Sequence, residues 1–138
     1  MRKRGADAIS MGRCIVATWE PHEAVALECI KALNLELQIT FNKGAVMILP
    51  SGVNKASGLA AALAELNIAS DDVIGVGDAE NDHAFLRACG LGVAVANALD
   101  SVKDTADLVT QGARGVGVVE LIDRILGHSF ETTRSAKI

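Results

Sequence analysis

The run Val73-Ile74-Gly75-Val76-Gly77-Asp78-Ala79-Glu80-Asn81-Asp82 constrains the fold of this chain more than any other stretch. An apolar strand runs into Gly77-Asp78, the chain turns, and Asn81-Asp82 opens a helix. A strand that feeds straight into a helix is the repeating unit of an α/β sheet, and such sheets hold ligands at the carboxyl ends of their strands. Asp78 and Asp82 make that end a hard, anionic, oxygen-rich corner suited to Mg²⁺ and a phosphate. A lone Gly-Asp would be no more than a turn with a helix cap. The whole phrase after an apolar strand favours a metal.

The remaining composition fits this reading. The chain has 138 residues, enough for one domain with its own core, and is 50% hydrophobic but only 3% aromatic. Ala, Val, Leu and Ile must therefore build the core, as in alternating buried strands and helices. The net charge of -4 and the lack of a basic stripe exclude nucleic acid as a partner. No apolar run approaches the roughly 20 residues that cross a bilayer, and Met1-Arg2-Lys3-Arg4 precedes no uninterrupted apolar segment of a secretory signal. The expectation is a cytoplasmic chain without membrane contact. Cys14, Cys29 and Cys89 are widely spaced in apolar segments and read as reduced core thiols, not as a zinc or disulfide framework.

Along the chain, residues 1–13 read as a frayed helix or tail. A strand is expected over 14–18, a helix from Pro21 to about Leu35, and a half-exposed strand over 36–41. Asn42-Lys43-Gly44 is a turn, and residues 45–49 return as a second strand, giving a β-hairpin. From residue 52 the pattern becomes βαβα. Helices are expected at 54–66, 80–88 and 98–103, with strands at 73–76, 91–95 and 107–109. A Gly-rich loop over 112–117 precedes a last helix marked by Val118, Leu121, Ile122, Ile125 and Leu126. Residues from His128 onward read as a polar tail. Trp19 and Phe41 read as packing residues and His83 as an exposed helical histidine. Asn97 reads as a turn residue bordering the corner.

Lys55 is the second chemical signal. A lysine at a helix N-terminus is electrostatically misplaced, because that end favours anions. A phosphate bound there would satisfy both the ammonium and the helix amides. Other phosphate signatures fail. Glu80 stands where G-x-G-x-x-G needs its third glycine, and the stretch after Gly52 lacks G-K-[ST]. His22, His83 and His128 show no ligand spacing with the cysteines.

Lys55 followed, one helix and one strand later, by G-D-x-x-N-D resembles the second half of the catalytic signature of haloacid dehalogenase (HAD) phosphatases. The resemblance is strongest to the Cof-like branch, which includes archaeal phosphoglycolate phosphatases and sugar phosphatases. It covers about residues 14 to 127 and implies an α/β fold. Residues 14–51 would be a partial cap subdomain, an αββ remnant of an α/β cap. Residues 52–127 would be the C-terminal half of a Rossmann-like core of parallel βαβ units, with 1–13 and 128–138 as tails. The resemblance also implies Mg²⁺ as cofactor, with Asp78 and Asp82 as metal carboxylates. Lys55 would be the phosphoryl-binding, catalytic lysine, Asp78 a catalytic carboxylate, and Asn81 a support on the phosphate side. A small phosphorylated metabolite would be the substrate of the longer enzyme.

The family's first half, a strand-borne D-x-D whose first Asp attacks phosphorus, has no counterpart in these residues. Thr18 follows a strand but runs into Trp-Glu-Pro instead of Thr-Gly-Arg. The expectation is thus a phosphatase portion with negligible turnover alone. The alternatives are a non-catalytic Mg²⁺- or phosphate-binding module, a homo-oligomer formed through an exposed sheet edge, and a scaffold with a vestigial corner.

Overall fold

A computed structural model describes residues 1–127, and the expected tail beyond them lies outside the described residues. Two sheets organise the fold. The first is antiparallel and four-stranded, in the order β1-β2-β4-β3, formed by β1 (Ser10–Met11), β2 (Val16–Trp19), β3 (Leu37–Asn42) and β4 (Ala45–Pro50). Helix α1 (Glu23–Ala32) connects β2 to β3 and buries Ala26 completely. Part of the expected N-terminal tail therefore belongs to a sheet: Ser10 and Met11 pair with Ala17 and Val16. Thr18, itself buried, donates to the carbonyl of Asp7 and ties that segment down. The segment is too short and mixed to show a period of its own, so only pairing reveals it.

The second sheet is parallel, in the order β5-β6-β7, formed by β5 (Ile74–Gly77), β6 (Leu91–Ala94) and β7 (Leu108–Val109). Around it run α2 (Lys55–Leu66), α3 (His83–Ala88), α4 (Asp100–Thr105) and α5 (Arg114–Leu126). The βαβα order expected from residue 52 onward is present. Central strand β6 buries Gly92, Val93 and Ala94, as a strand covered on both faces must. Leu86, Ala94, Ala98 and Val102 form the hydrophobic cluster beneath it, with Phe85 and Leu99 packed against them. Two single-turn 3₁₀ helices, Ser70–Asp72 and Glu80–Asp82, flank β5. No helix among the described residues is long and apolar enough to cross a membrane.

Several local expectations are corrected. Residues 112–117 are not simply a Gly-rich loop: α5 begins at Arg114 and takes in Gly115 and Gly117. The small size of Gly112 and Gly117 serves close packing, since a Cβ on Gly117 would lie 2.3 Å from the Gly112 carbonyl oxygen. A Cβ on Gly112 would sit 2.7 Å from the Gly117 amide nitrogen and 2.8 Å from the Val116 carbonyl carbon. The cysteines are not core residues, since Cys14 is exposed and Cys29 and Cys89 are half-buried, all as free thiols. Trp19 and Phe41 are exposed, not packed. β3 lacks the expected two-faced alternation, with every residue but Phe41 half-buried.

Because backbone atoms face Gly112 and cannot rotate away, Gly112→Ala is expected to destabilise the fold by about 1–3 kcal/mol. Urea unfolding followed by circular dichroism would show a lowered midpoint. An unchanged midpoint would contradict the close packing of this turn against α5.

Candidate active site

The carboxyl end of β5 gathers the charged groups. Gly77 ends the strand, and the chain folds back through the 3₁₀ turn so that Asp82 returns to the strand end. Oδ2 of Asp82 accepts the amides of Asp78 at 2.8 Å and Ala79 at 3.0 Å. A Cβ on residue 77 would lie 2.6 Å from the Asp82 Cβ and 2.8 Å from its carboxyl carbon. Glycine before Asp78 is thus what admits the Asp82 carboxylate. Both amides are bonded by that one side chain, and the Asp82 amide adds another bond within the turn by donating to the Ala79 carbonyl at 2.9 Å.

Lys55, the first residue of α2, completes the pair: its ammonium donates to Oδ1 of Asp82. The lysine at a helix start has a carboxylate as its counter-ion here. Asn54 caps the helix, its Oδ1 accepting the Ser57 amide at 2.9 Å while the Ser57 hydroxyl accepts the Asn54 amide at 3.0 Å. The Asp82 side chain is only 4% exposed, whereas Lys55 is 46% exposed. Burial pushes the Asp82 carboxyl up, but Lys55 and the two backbone amides outweigh it and hold the group below its ordinary value of 3.8.

Asp78 points outward beside this buried pair. Its Oδ2 lies 2.5 Å from the ammonium of Lys43, which comes from the β3–β4 hairpin of the other sheet. The backbone amide of Lys43 donates to Glu80 at 3.0 Å. Lys43 was legible in the sequence only as a turn residue. Its place in the site depends on how the hairpin lies over the parallel sheet, which no local pattern encodes. Gln38 of β3 donates to the Val53 carbonyl in the connection leading into α2, at 2.8 Å.

Asn81 stands in the same turn, and its Oδ1 is buried without a hydrogen-bond partner among the described residues. Such an acceptor is costly to leave unmade and suits a cation or a donor from a ligand. Among the described residues no group of three or more His, Cys, Asp or Glu forms a ready-made metal cage. The oxygen donors that face outward are Asp78 and the Asn81 carbonyl, with Asp82, its oxygens bonded to Lys55 and two amides, adding negative charge behind them. That set fits Mg²⁺, which takes one or two carboxylates and fills its remaining positions with water and phosphate. Lys55, Asp78, Asn81 and Asp82 are therefore brought together. Asn97 stands in the turn beside the corner, between Val95 and Leu99, whose amides donate to the Gly77 carbonyl at 3.3 Å and the Asp78 carbonyl at 3.1 Å, and its own side chain accepts the Arg114 amide at 2.7 Å. His83 is half-buried instead of exposed, its Nδ1 2.8 Å from the Thr105 hydroxyl. Cys89, pushed up by burial, is poorly disposed to act as a nucleophile.

The chain matches the family model of haloacid dehalogenase-like hydrolases over residues 11–122. It is 43% identical over 93 residues to phosphoglycolate phosphatase 2 of Saccharolobus solfataricus, covering 67% of this chain and 40% of that protein. It is 39% identical over 90 residues to a 5-amino-6-(5-phospho-D-ribitylamino)uracil phosphatase of Bacillus subtilis, covering 64% and 36% respectively. A solved HAD/COF-like hydrolase of Plasmodium vivax superposes with a TM-score of 0.71 at 28% identity, over 83% of this chain and 42% of that one. The chain thus spans about two fifths of the length of the curated relatives it matches.

A carboxyl with a depressed pKa stabilises the fold fully above its ordinary value, and that contribution is lost as pH falls through the folded value. Asp82→Asn is expected to cost roughly 1–3 kcal/mol near neutral pH. The gap to the native chain should close as pH falls below 3.8. Chemical unfolding across pH measures it, and a gap independent of pH would contradict the ion pair.

Proposed function

The chain belongs to the haloacid dehalogenase-like hydrolases, and we propose that it carries the lysine and late acidic part of a Mg²⁺-dependent phosphate-monoester hydrolase site. The observation that supports this best is the division of labour between two carboxylates. Asp82 is buried and committed to Lys55 and to two amides, while Asp78 is exposed at the strand end. One builds the corner and the other faces the ligand.

In this reading Asp78 and Asp82 supply the charge that holds Mg²⁺, with Asp78 presenting its oxygens outward. Lys55 meets the phosphoryl oxygens, its ammonium oriented by Asp82. Asn81 offers a carbonyl toward the cation and an amide NH₂ toward phosphate. Bound Mg²⁺ would neutralise charge on the phosphoryl oxygens. The site lies where the two sheets meet, so the antiparallel unit covers the substrate end remote from phosphorus. Related proteins act on phosphoglycolate and on a phosphorylated ribityl uracil, which supports a small phosphorylated metabolite as substrate. Three free thiols suit the reducing cytoplasm.

No D-x-D occurs in the sequence, so no counterpart of the family's attacking carboxylate is present. Hydrolysis is accordingly assigned to a longer protein, and the 138 residues alone should turn over negligibly. A second reading, self-association, is favoured by the outer edge of β5, which has no strand beside it among the described residues and leaves Ile74 37% exposed. Sedimentation that stays monomeric at high concentration would remove it.

Calorimetric titration with Mg²⁺ tests the metal assignment. Asp78→Asn is expected to weaken binding about tenfold or more, roughly the value of one charged ligand contact. Unchanged affinity would overturn the assignment. Phosphate release from small monoesters should be negligible, and turnover abolished by Asp78→Ala would show that a nucleophile is present after all.

A further inference from the structure

Lys43, from the tip of the antiparallel sheet's hairpin, brings an ammonium to Asp78 in the corner, and its backbone conformation makes it unusual. The hairpin between β3 and β4 closes in two residues: Asn42 pairs with Ala45, leaving Lys43 and Gly44 as the turn. Both have positive φ, 46° at Lys43 and 86° at Gly44. Tight hairpins of this kind favour Asn, Asp or Gly at the first position, because a larger side chain is strained there. A lysine held in this conformation, its amide fixed by Glu80 and its ammonium at Asp78, marks a position shaped by more than turn formation.

Resting on the phosphate-hydrolase reading, we propose that Lys43 reads the non-phosphoryl end of the substrate and selects phosphate esters with a second negative charge, such as a carboxylate, over neutral ones. Two ammonium groups approach the acidic pair from different units. Lys55 is bound to the buried Asp82 and belongs to the phosphoryl side. Lys43 approaches the exposed Asp78 from the covering hairpin, with its side chain 38% exposed. The Asp78 oxygen that faces Lys43 cannot fully neutralise it and a divalent cation together. Repulsion between the cation and the ammonium then drives Lys43 off Asp78. Its backbone remains tethered through Glu80, so the freed ammonium stays at the rim of the site. There it needs a new anion, and a carboxylate one or two carbons from the phosphate provides it. A neutral hydroxylated tail leaves the ammonium without a partner.

The test compares two probes of equal carbon length, 2-phosphoglycolate and 2-hydroxyethyl phosphate. Each is titrated in saturating Mg²⁺ into the chain and followed by amide NMR. The native chain is expected to bind the carboxylate-bearing probe about tenfold more tightly, as one charge-assisted hydrogen bond provides. Lys43→Gln should bring the ratio of the two affinities close to one, and Lys43→Arg should retain most of it. A clamp that merely fastened the two sheets together would shift both affinities equally and leave the ratio intact. A native ratio of one, or a ratio insensitive to Lys43→Gln, overturns the assignment of Lys43 while leaving the phosphate site standing. Failure of the native chain to bind either probe overturns both readings.

Discussion

The buried Asp82 carboxylate is the contact on which the rest of this site depends. It joins three pieces of chain that are remote in sequence or in direction: the end of β5, the turn that follows it, and the first residue of α2. A buried carboxylate is tolerable only when its oxygens are satisfied, and removing one partner of such a pair leaves an uncompensated charge worth several kcal/mol. Lys55, the amides of Asp78 and Ala79, and the small size of Gly77 are thus requirements of one side chain. Once Asp82 is placed, Asp78 has little choice but to face outward. The corner is held by contacts within the chain itself, and on the proposed reading that preorganisation would serve electrostatic stabilisation of a phosphoryl group.

Much of the parallel unit was legible because its signals are local. The apolar run before Asp78, the helical stripe of Leu59, Leu63 and Leu66, and the glycine at the strand end each act over a few residues. Together they identified the βαβα order, while Lys55 stood out by its place at a helix start and Asn81 entered the site only through the family resemblance. The failures share a different character. β1 is two residues long and exists only through pairing with β2. Gly115 and Gly117 look like breakers, yet they belong to α5, where the return of Gly112 against the first helical turn leaves no room for a side chain at Gly117. The apolar neighbours of the cysteines suggested burial, but Cys14 sits on exposed chain before β2.

Lys43 shows the same limit at the site itself. Asn42-Lys43-Gly44 is recognisable as a turn, and the hairpin forms as expected. Nothing within it reveals that its tip lies over the end of a strand thirty-odd residues later, 2.5 Å from Asp78. Such contacts arise from how two sheets are set against one another. On the proposed reading, the phosphoryl end and the remote end of a substrate would be governed by different parts of this chain.

The most direct measurement is paramagnetic broadening of amide resonances on titration with Mn²⁺, which takes the same oxygen ligands as Mg²⁺. Broadening is expected to centre on Gly77, Asp78, Ala79 and Asn81, to reach Lys43 and Lys55, and to spare Ala26 in α1. Broadening centred elsewhere, as on the acidic Ser70–Asp72 turn, would contradict the account of the Asp78–Asp82 corner as the metal and phosphate half-site.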